Sequence, residues 1–405
     1  MSAKRTAIFS HGRGKQRGVA LMIMLVILVV GIAAVLVNSL TSSRVKIVRQ
    51  ETTAAALAQA KDALIGHAVT YLDTHTTPSP QVFGYLPCPD ISSGSEGVAV
   101  SSCGSPDVNA IGRLPWATLD LSALRDGAGE CLWYAVSGTY KSAQKTSLMN
   151  WDTNGQFQAY TPDGTLLTQP DNQVVAVIFA PGAAQSGQDR SGTTFPVCGG
   201  NYTATNYLDS DTVHHINNWD VVTGKFIQGT SGGTVNDQML FITRQDIWNA
   251  IKKRNDFGTF VSTLLSAATA CLSSIPNPVT INFDTMNETT VTAVGILYVG
   301  RIPSIALTSC INANNNLVQQ WRDNLLYATC ATSNCLGGNN GVVVFAGEKN
   351  TSLSQQRITN TDKNTWSNYL EGTPLAAFNT GFPPISGASS YSAGSPSTDV
   401  LAFIP

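Results

Sequence analysis

The sequence is poor in charge. Only 12% of its 405 residues are Asp, Glu, Lys or Arg, against roughly 25% in an average soluble protein. A formal net charge of -2 leaves no global argument for a nucleic-acid or acidic-lipid partner. The polarity comes instead from Ser, Thr, Asn and 35 Gly, a surface that suits an exported, β-rich protein. No C-x-x-C pair occurs, which removes the zinc-ribbon and thioredoxin readings. The nucleotide loop GxxxxGK[ST], the G-x-G-x-x-G fingerprint and the G-x-S-x-G elbow are absent too. No catalytic residue, metal site or cofactor is therefore expected. His214 and His215 are adjacent and read as a surface turn pair. Asp152-Thr153-Asn154-Gly155 begins like a calcium loop, but Asp163 stands where the loop needs its closing Glu.

What the chain does have is an asymmetric N-terminus. Residues 1–18 carry Lys4, Arg5, Arg13, Lys15 and Arg17 and no acidic residue. Val19 to Leu40 then carries no charge at all. As a helix this run rises roughly 33 Å, close to the ~30 Å of a bilayer core. It predicts a single span with the basic side in the cytoplasm. A secretory signal peptide fits less well, because its apolar region is usually shorter and Val37-Asn38-Ser39 is a poor cleavage site. Beyond the run, Leu57, Leu64, Ile65, Ala68 and Leu72 form one helical stripe, so one helix is expected over 19–73.

Lys15-Gln16-Arg17-Gly18 abuts Val19 with nothing between. A basic leader ending in Gly directly before an apolar helix resembles the class III signal of type IV pilins and pseudopilins. The resemblance implies cleavage by a prepilin peptidase between Gly18 and Val19 and N-methylation of Val19. It also implies a filament-core helix with Val19, Ile23, Val26 and Val30 along it, and other pilin or pseudopilin subunits as partners. Most major pilins carry Glu where this chain has Ile23, so the resemblance points to a minor, tip-type subunit of a pilus or type II secretion pseudopilus. The location implied is the bacterial inner membrane, with a periplasmic head before assembly. A tip adhesin and an unprocessed membrane-anchored periplasmic protein are the alternatives. Replacing Gly18 separates the last from the others.

After Pro78 short apolar runs alternate with turn clusters, at 132–136, 174–180, 239–243, 292–299 and 341–346, and read as strands. Thr243 and Asp246 form a capping-box signature for a helix. Gly112-Arg113-Leu114-Pro115 recurs as Gly300-Arg301-Ile302-Pro303, Leu132–Ala135 as Leu325–Ala328, and Asn206-Tyr207-Leu208 as Asn368-Tyr369-Leu370. Val174–Ala180 with Gly182 likewise resembles Val342–Ala346 with Gly347. Four matches in one order suggest a duplicated module. The fold class expected is α+β: a long transmembrane and amphipathic helix, then a β-rich, duplicated pilin-like head. The segments are a leader over 1–18, a first module over 74–245 and a second over 246–405. Tyr85-Leu86-Pro87-Cys88-Pro89-Asp90, Gly112–Trp116 and Leu132–Ala135 together are similar to a group of bacterial pilin-like proteins. Cys88, Cys103, Cys131, Cys198, Cys271, Cys310, Cys330 and Cys335 are an even set in a chain with an export signal, so disulfides are expected. Eight cysteines admit 105 connectivities. The sequence-local pairs 88–103, 131–198, 271–310 and 330–335 are the simplest.

Overall fold

The computed structural model describes residues 17–75, 82–91, 95–142, 146–192, 195–230, 233–273, 292–302, 315–330, 335–394 and 398–405. The chain divides into two compact units, Met1–Thr52 and Thr53–Pro405. Helix α1 (Arg17–Thr74) supplies residues to both.

In the first unit, α1 carries Met22 and Met24 to Val29, then Arg44, Lys46, Arg49 and Glu51. The fold class expected from the sequence needs correction here. Among the described residues no helix is long and apolar enough to cross a membrane. Beyond α1 the described residues are mixed α/β with four sheets, rather than a β-rich head on a single long membrane helix. The leader residues 1–16, and the side chains of Val19, Ile23 and Val30, lie outside the described set.

In the second unit, β1 (Ala110–Arg113), β2 (Trp133–Val136), β4 (Val174–Ala180) and β8 (Gln238–Thr243) form an antiparallel sheet in the order β1-β2-β4-β8. A second antiparallel sheet has the order β13-β12-β11-β10-β9. Its strands are β9 (Thr292–Val294), β10 (Leu297–Arg301), β11 (Leu325–Cys330), β12 (Gly341–Phe345) and β13 (Val400–Ile404). Two short pairs complete the set: β3 (Gln158–Tyr160) with β7 (Lys225–Ile227), and β5 (Ser210–Asp211) with β6 (Ile216–Asn217).

β4, β11 and β12 are buried at every position. Both sheet faces are covered, so these strands read as unbroken apolar runs instead of alternating ones. Alternation survives in the partners each side chain touches. Tyr134, Ala176 and Ile178 join a core with Leu57, Ala60, Leu64 and Ala68 of α1, while Trp133, Val177 and Phe179 join a second core with Tyr207 and Phe226. In the other sheet Tyr327, Val343 and Phe345 face that first core, which also takes Val261 and Leu264 of α3 (Phe257–Ser273). Leu326, Val342 and Val344 face a third core with Tyr369 and Phe378.

The run at 292–299 is not one strand. Gly295 takes φ 62°, and the chain reverses there into a β9–β10 hairpin with Val294 opposite Leu297. A Cβ at Gly295 would lie 2.8 Å from the Gly381 carbonyl oxygen. Helix α2 (Arg244–Lys252) begins with the capping box: Thr243 Oγ1 accepts from Asp246 N at 3.2 Å, and Thr243 N donates to Asp246 Oδ2 at 2.9 Å. Lys61 of α1 donates to the same carboxylate at 3.1 Å.

Gly66 sits in the α1 interior, where a Cβ would meet nothing within 4 Å. Gly66→Ala is therefore expected to stabilise the protein by about 0.5–1 kcal/mol through lost backbone entropy alone, measured as a rise in the urea midpoint at unchanged slope.

Candidate functional site

Gly18 and Val19 lie in the first turn of α1. Downstream, the helix is apolar on consecutive residues, and those residues are uncovered. Met22 is 74% exposed, Met24 72%, Leu25 60%, Val26 58%, Ile27 66%, Leu28 59% and Val29 54%. Successive helical residues advance ~100°, so Met24 to Val29 clothe the whole circumference and not one stripe. Such a helix gains most from cover on several sides at once. The exposed apolar row and the Gly18-Val19 step are thus adjacent on one element.

The cysteines of the second unit form covalent ties. Cys88–Cys103, Cys131–Cys198 and Cys330–Cys335 are disulfides. Cys271 is disulfide-bonded as well; its expected partner Cys310 lies outside the described residues. Closing a loop of 67 residues, Cys131–Cys198 restricts the unfolded chain most. The chain-entropy account gives this tie on the order of 4 kcal/mol.

The repeated sequence motifs meet at equivalent places in the two sheets. Gly112 pairs with Tyr134 and Arg113 with Trp133, as Gly300 pairs with Tyr327 and Arg301 with Leu326. Trp133 pairs with Phe179, as Leu326 pairs with Val344. Pro303, the last residue of the second motif, is outside the described set.

Beside each sheet lies a polar network that the sequence motifs only hinted at. In the first, Arg190 Nε donates to Asn206 O (2.8 Å), Nη1 to Gly182 O (2.7 Å) and Nη2 to Gln188 Oε1 (2.6 Å). In the second, Arg357 donates from the same atoms to Asn368 O (2.6 Å), Gly347 O (3.0 Å) and Gln355 Oε1 (3.4 Å). Arg190 stacks 4.9 Å over Tyr207, and Arg357 4.3 Å over Tyr369. Gln188 Nε2 donates to Asp209 Oδ1, and Gln355 Nε2 to Glu371 Oε1. The backbone N–H of Asp209 donates to Asp237 Oδ2, and that of Glu371 to Asp399 Oδ2. Gln188-x-Arg190 and Gln355-x-Arg357 were the available signal, since each stands between motifs already seen to recur.

Each network sets two carboxyls side by side, with Asp209, Asp237 and Asp399 buried. Burial, and then the Glu371 charge, push Asp399 up to about 7. Burial and then Asp209 raise Asp237 well above its ordinary range. These groups spend their bonds on backbone and on one another, which is the chemistry of a clamp holding the start of the last strand of each sheet.

The remaining sequence candidates resolve as structure. Asp152 is no loop ligand: its carboxylate is buried, 3.1 Å from Arg357 Nη1, and accepts from Asn324 Nδ2 at 2.7 Å. Burial alone would raise its pKa, but Arg357 and Arg244 hold it below the ordinary value. His214 pairs with Asp211. Arg254 forks between Asp73 and Asp256 and lies 4.8 Å over Phe83. Among the described residues no three His, Cys, Asp or Glu side chains converge to hold a metal ion. No family model, curated protein or solved structure matches the chain.

Proposed function

We propose that the chain is a minor assembly subunit of a type IV pilus-like or type II secretion pseudopilus-like filament. A prepilin-type peptidase cuts between Gly18 and Val19, the new Val19 amine is methylated, and the uncovered apolar row packs among the corresponding helices of neighbouring subunits. The observation that carries this reading is the row itself. Seven large apolar side chains between Met22 and Val29 are each more than half exposed. Burying one such side chain fully is worth roughly 1.5–3 kcal/mol, so covering the row favours association by an amount on the order of ten kcal/mol before its entropic costs. A helix apolar around its whole circumference suits a core of several helices better than one flat partner. The disulfides support a head that matures in an oxidising, extracytoplasmic compartment. Ile23, standing where major pilins carry Glu, favours a minor subunit, and no enzymatic step is assigned to it.

The test is N-terminal mass spectrometry of the wild-type and Gly18→Val proteins, with sheared filaments as the second readout. The wild-type chain should begin at Val19 bearing a methyl group and should be present in filaments. Gly18→Val should retain residues 1–18 and be lost from filaments. A wild-type chain that still begins at Met1, or begins near Ser39, overturns the reading.

A further inference from the structure

A groove in the second unit, between α2 and the loop after β12, holds about 260 Å³. It lies below the usual ~300–1,000 Å³ of small-molecule sites, so its size suits a single ring and not an extended ligand. Among its walls are Trp151, Gln169, Asn172, Arg244, Gln245 and Asn249. Its acids are already committed. Asp152 is held by Arg357 and Asn324, while Glu348 pairs with Lys252 and accepts from Tyr391 Oη at 3.0 Å.

The Trp151 indole N–H is buried and has no acceptor among the described residues, although Trp151 is only 6% exposed. Arg244, with five N–H donors in its guanidinium, makes one long hydrogen bond, from Nη1 to the Asp152 carbonyl at 3.3 Å, while its charge also acts on the Asp152 carboxyl. Gln245 and Asn249 lie one turn apart on α2, both exposed. Side-chain amides donate and accept together, as hydroxyl groups do. The site therefore carries a planar cation suited to a carboxylate and is rimmed by groups that match hydroxyls.

We propose that this groove binds a small polyhydroxylated carboxylate of the uronic-acid sugar class, with Arg244 on the carboxylate and the Gln245 and Asn249 amides on ring hydroxyls. The inference rests on the groove alone and is independent of the assembly reading, because processing at Gly18 and ligand binding are read out separately.

The test is titration of the full chain with sodium glucuronate, followed by calorimetry and ligand-observed NMR, with glucose as the neutral control. Glucuronate should saturate with a Kd of about 1 mM or tighter, and glucose should bind at least about tenfold more weakly. Arg244→Ala should weaken glucuronate at least about tenfold, a loss of roughly 1.4 kcal/mol. Asn249→Ala removes an exposed side chain, leaves folding intact and should weaken binding several-fold. A glucuronate-terminated disaccharide that binds equally well identifies the end of a polysaccharide as the source, whereas binding of the monosaccharide alone identifies a free sugar acid. No saturation, equal affinity for glucose, or an unchanged Kd in a folded Arg244→Ala or Asn249→Ala protein overturns the proposal.

Discussion

Arg357→Ala is expected to destabilise the protein by about 3–5 kcal/mol at pH 7, the cost of leaving one member of a buried ion pair behind. The Arg357 side chain is 1% exposed and that of Asp152 7%, so water cannot replace the lost partner. The substitution also strips the Gly347 and Asn368 carbonyls of donors at 3.0 and 2.6 Å. Arg357→Lys should not restore stability, because an ammonium cannot reproduce the three-way fork or its stacking on Tyr369. The other half of the fold provides the control. Arg190 makes the same backbone bonds, but its acid is Glu130, whose side chain is 27% exposed, at 3.3 Å. Arg190→Ala should cost less, about 1–3 kcal/mol. The pH dependence identifies the cause. Without Arg357 the Asp152 carboxyl loses the larger of the two charges that held its pKa down, leaving Arg244, and burial pushes the pKa up. Asp152 would then protonate in the folded variant at mildly acidic pH, and the penalty should shrink between pH 7 and pH 4.5. Urea unfolding at the two pH values measures this. A loss below about 1 kcal/mol, or one that does not change with pH, sinks the account.

Wild-type stability should itself fall as pH rises from about 4 to about 8, through the Asp399–Glu371 pair. Asp399 is pushed up to about 7, by burial first and by the Glu371 charge second. A carboxyl with a raised folded pKa contributes its stability below the unfolded value near 4 and loses it as pH climbs through the folded value. Three units correspond to roughly 4 kcal/mol at most. Glu371→Gln tests the cause. Its carboxamide oxygen can still accept from Gln355 Nε2, now at 2.7 Å, and its N–H can face Asp399. The variant should show a flatter pH profile and be more stable than wild type at pH 8 by about 1–3 kcal/mol. An unchanged slope between pH 4 and pH 8 removes Asp399 as the titrating group. The parallel pair Asp209–Asp237, raised in the same direction, should keep a residual slope in the variant.

Legibility from sequence differed sharply between elements. β4 was visible with both its ends, because burial on two faces leaves an unbroken apolar run bounded by turn residues. α2 was visible at its start, because a capping box is local chemistry over four residues. β9 and β10 merged into one expected strand, because Gly295 gives the same letter whether it extends a strand or turns it. β13 was missed, because its five residues come after a Ser, Gly and Pro-rich stretch with no periodicity of its own. The membrane span expected over Val19 to Leu40 is the larger correction: among the described residues no helix is long and apolar enough to cross a membrane. The clamps were illegible as clamps, since Asp209 meets Asp237 across 28 residues and Asp152 meets Arg357 across 205.

By itself, the sequence determined the apolar run behind a basic N-terminal stretch, the central strands, the α2 cap and the recurrence of short motifs in one order. All of these are written in neighbouring residues, where propensity and periodicity act. Only the tertiary structure decided which carboxyls became buried partners, which arginines were spent on them, and which donors stayed without an acceptor beside the groove. Burial is set by chain segments distant in sequence, and it is burial that turns an ordinary Asp or Arg into a group with a large energetic consequence.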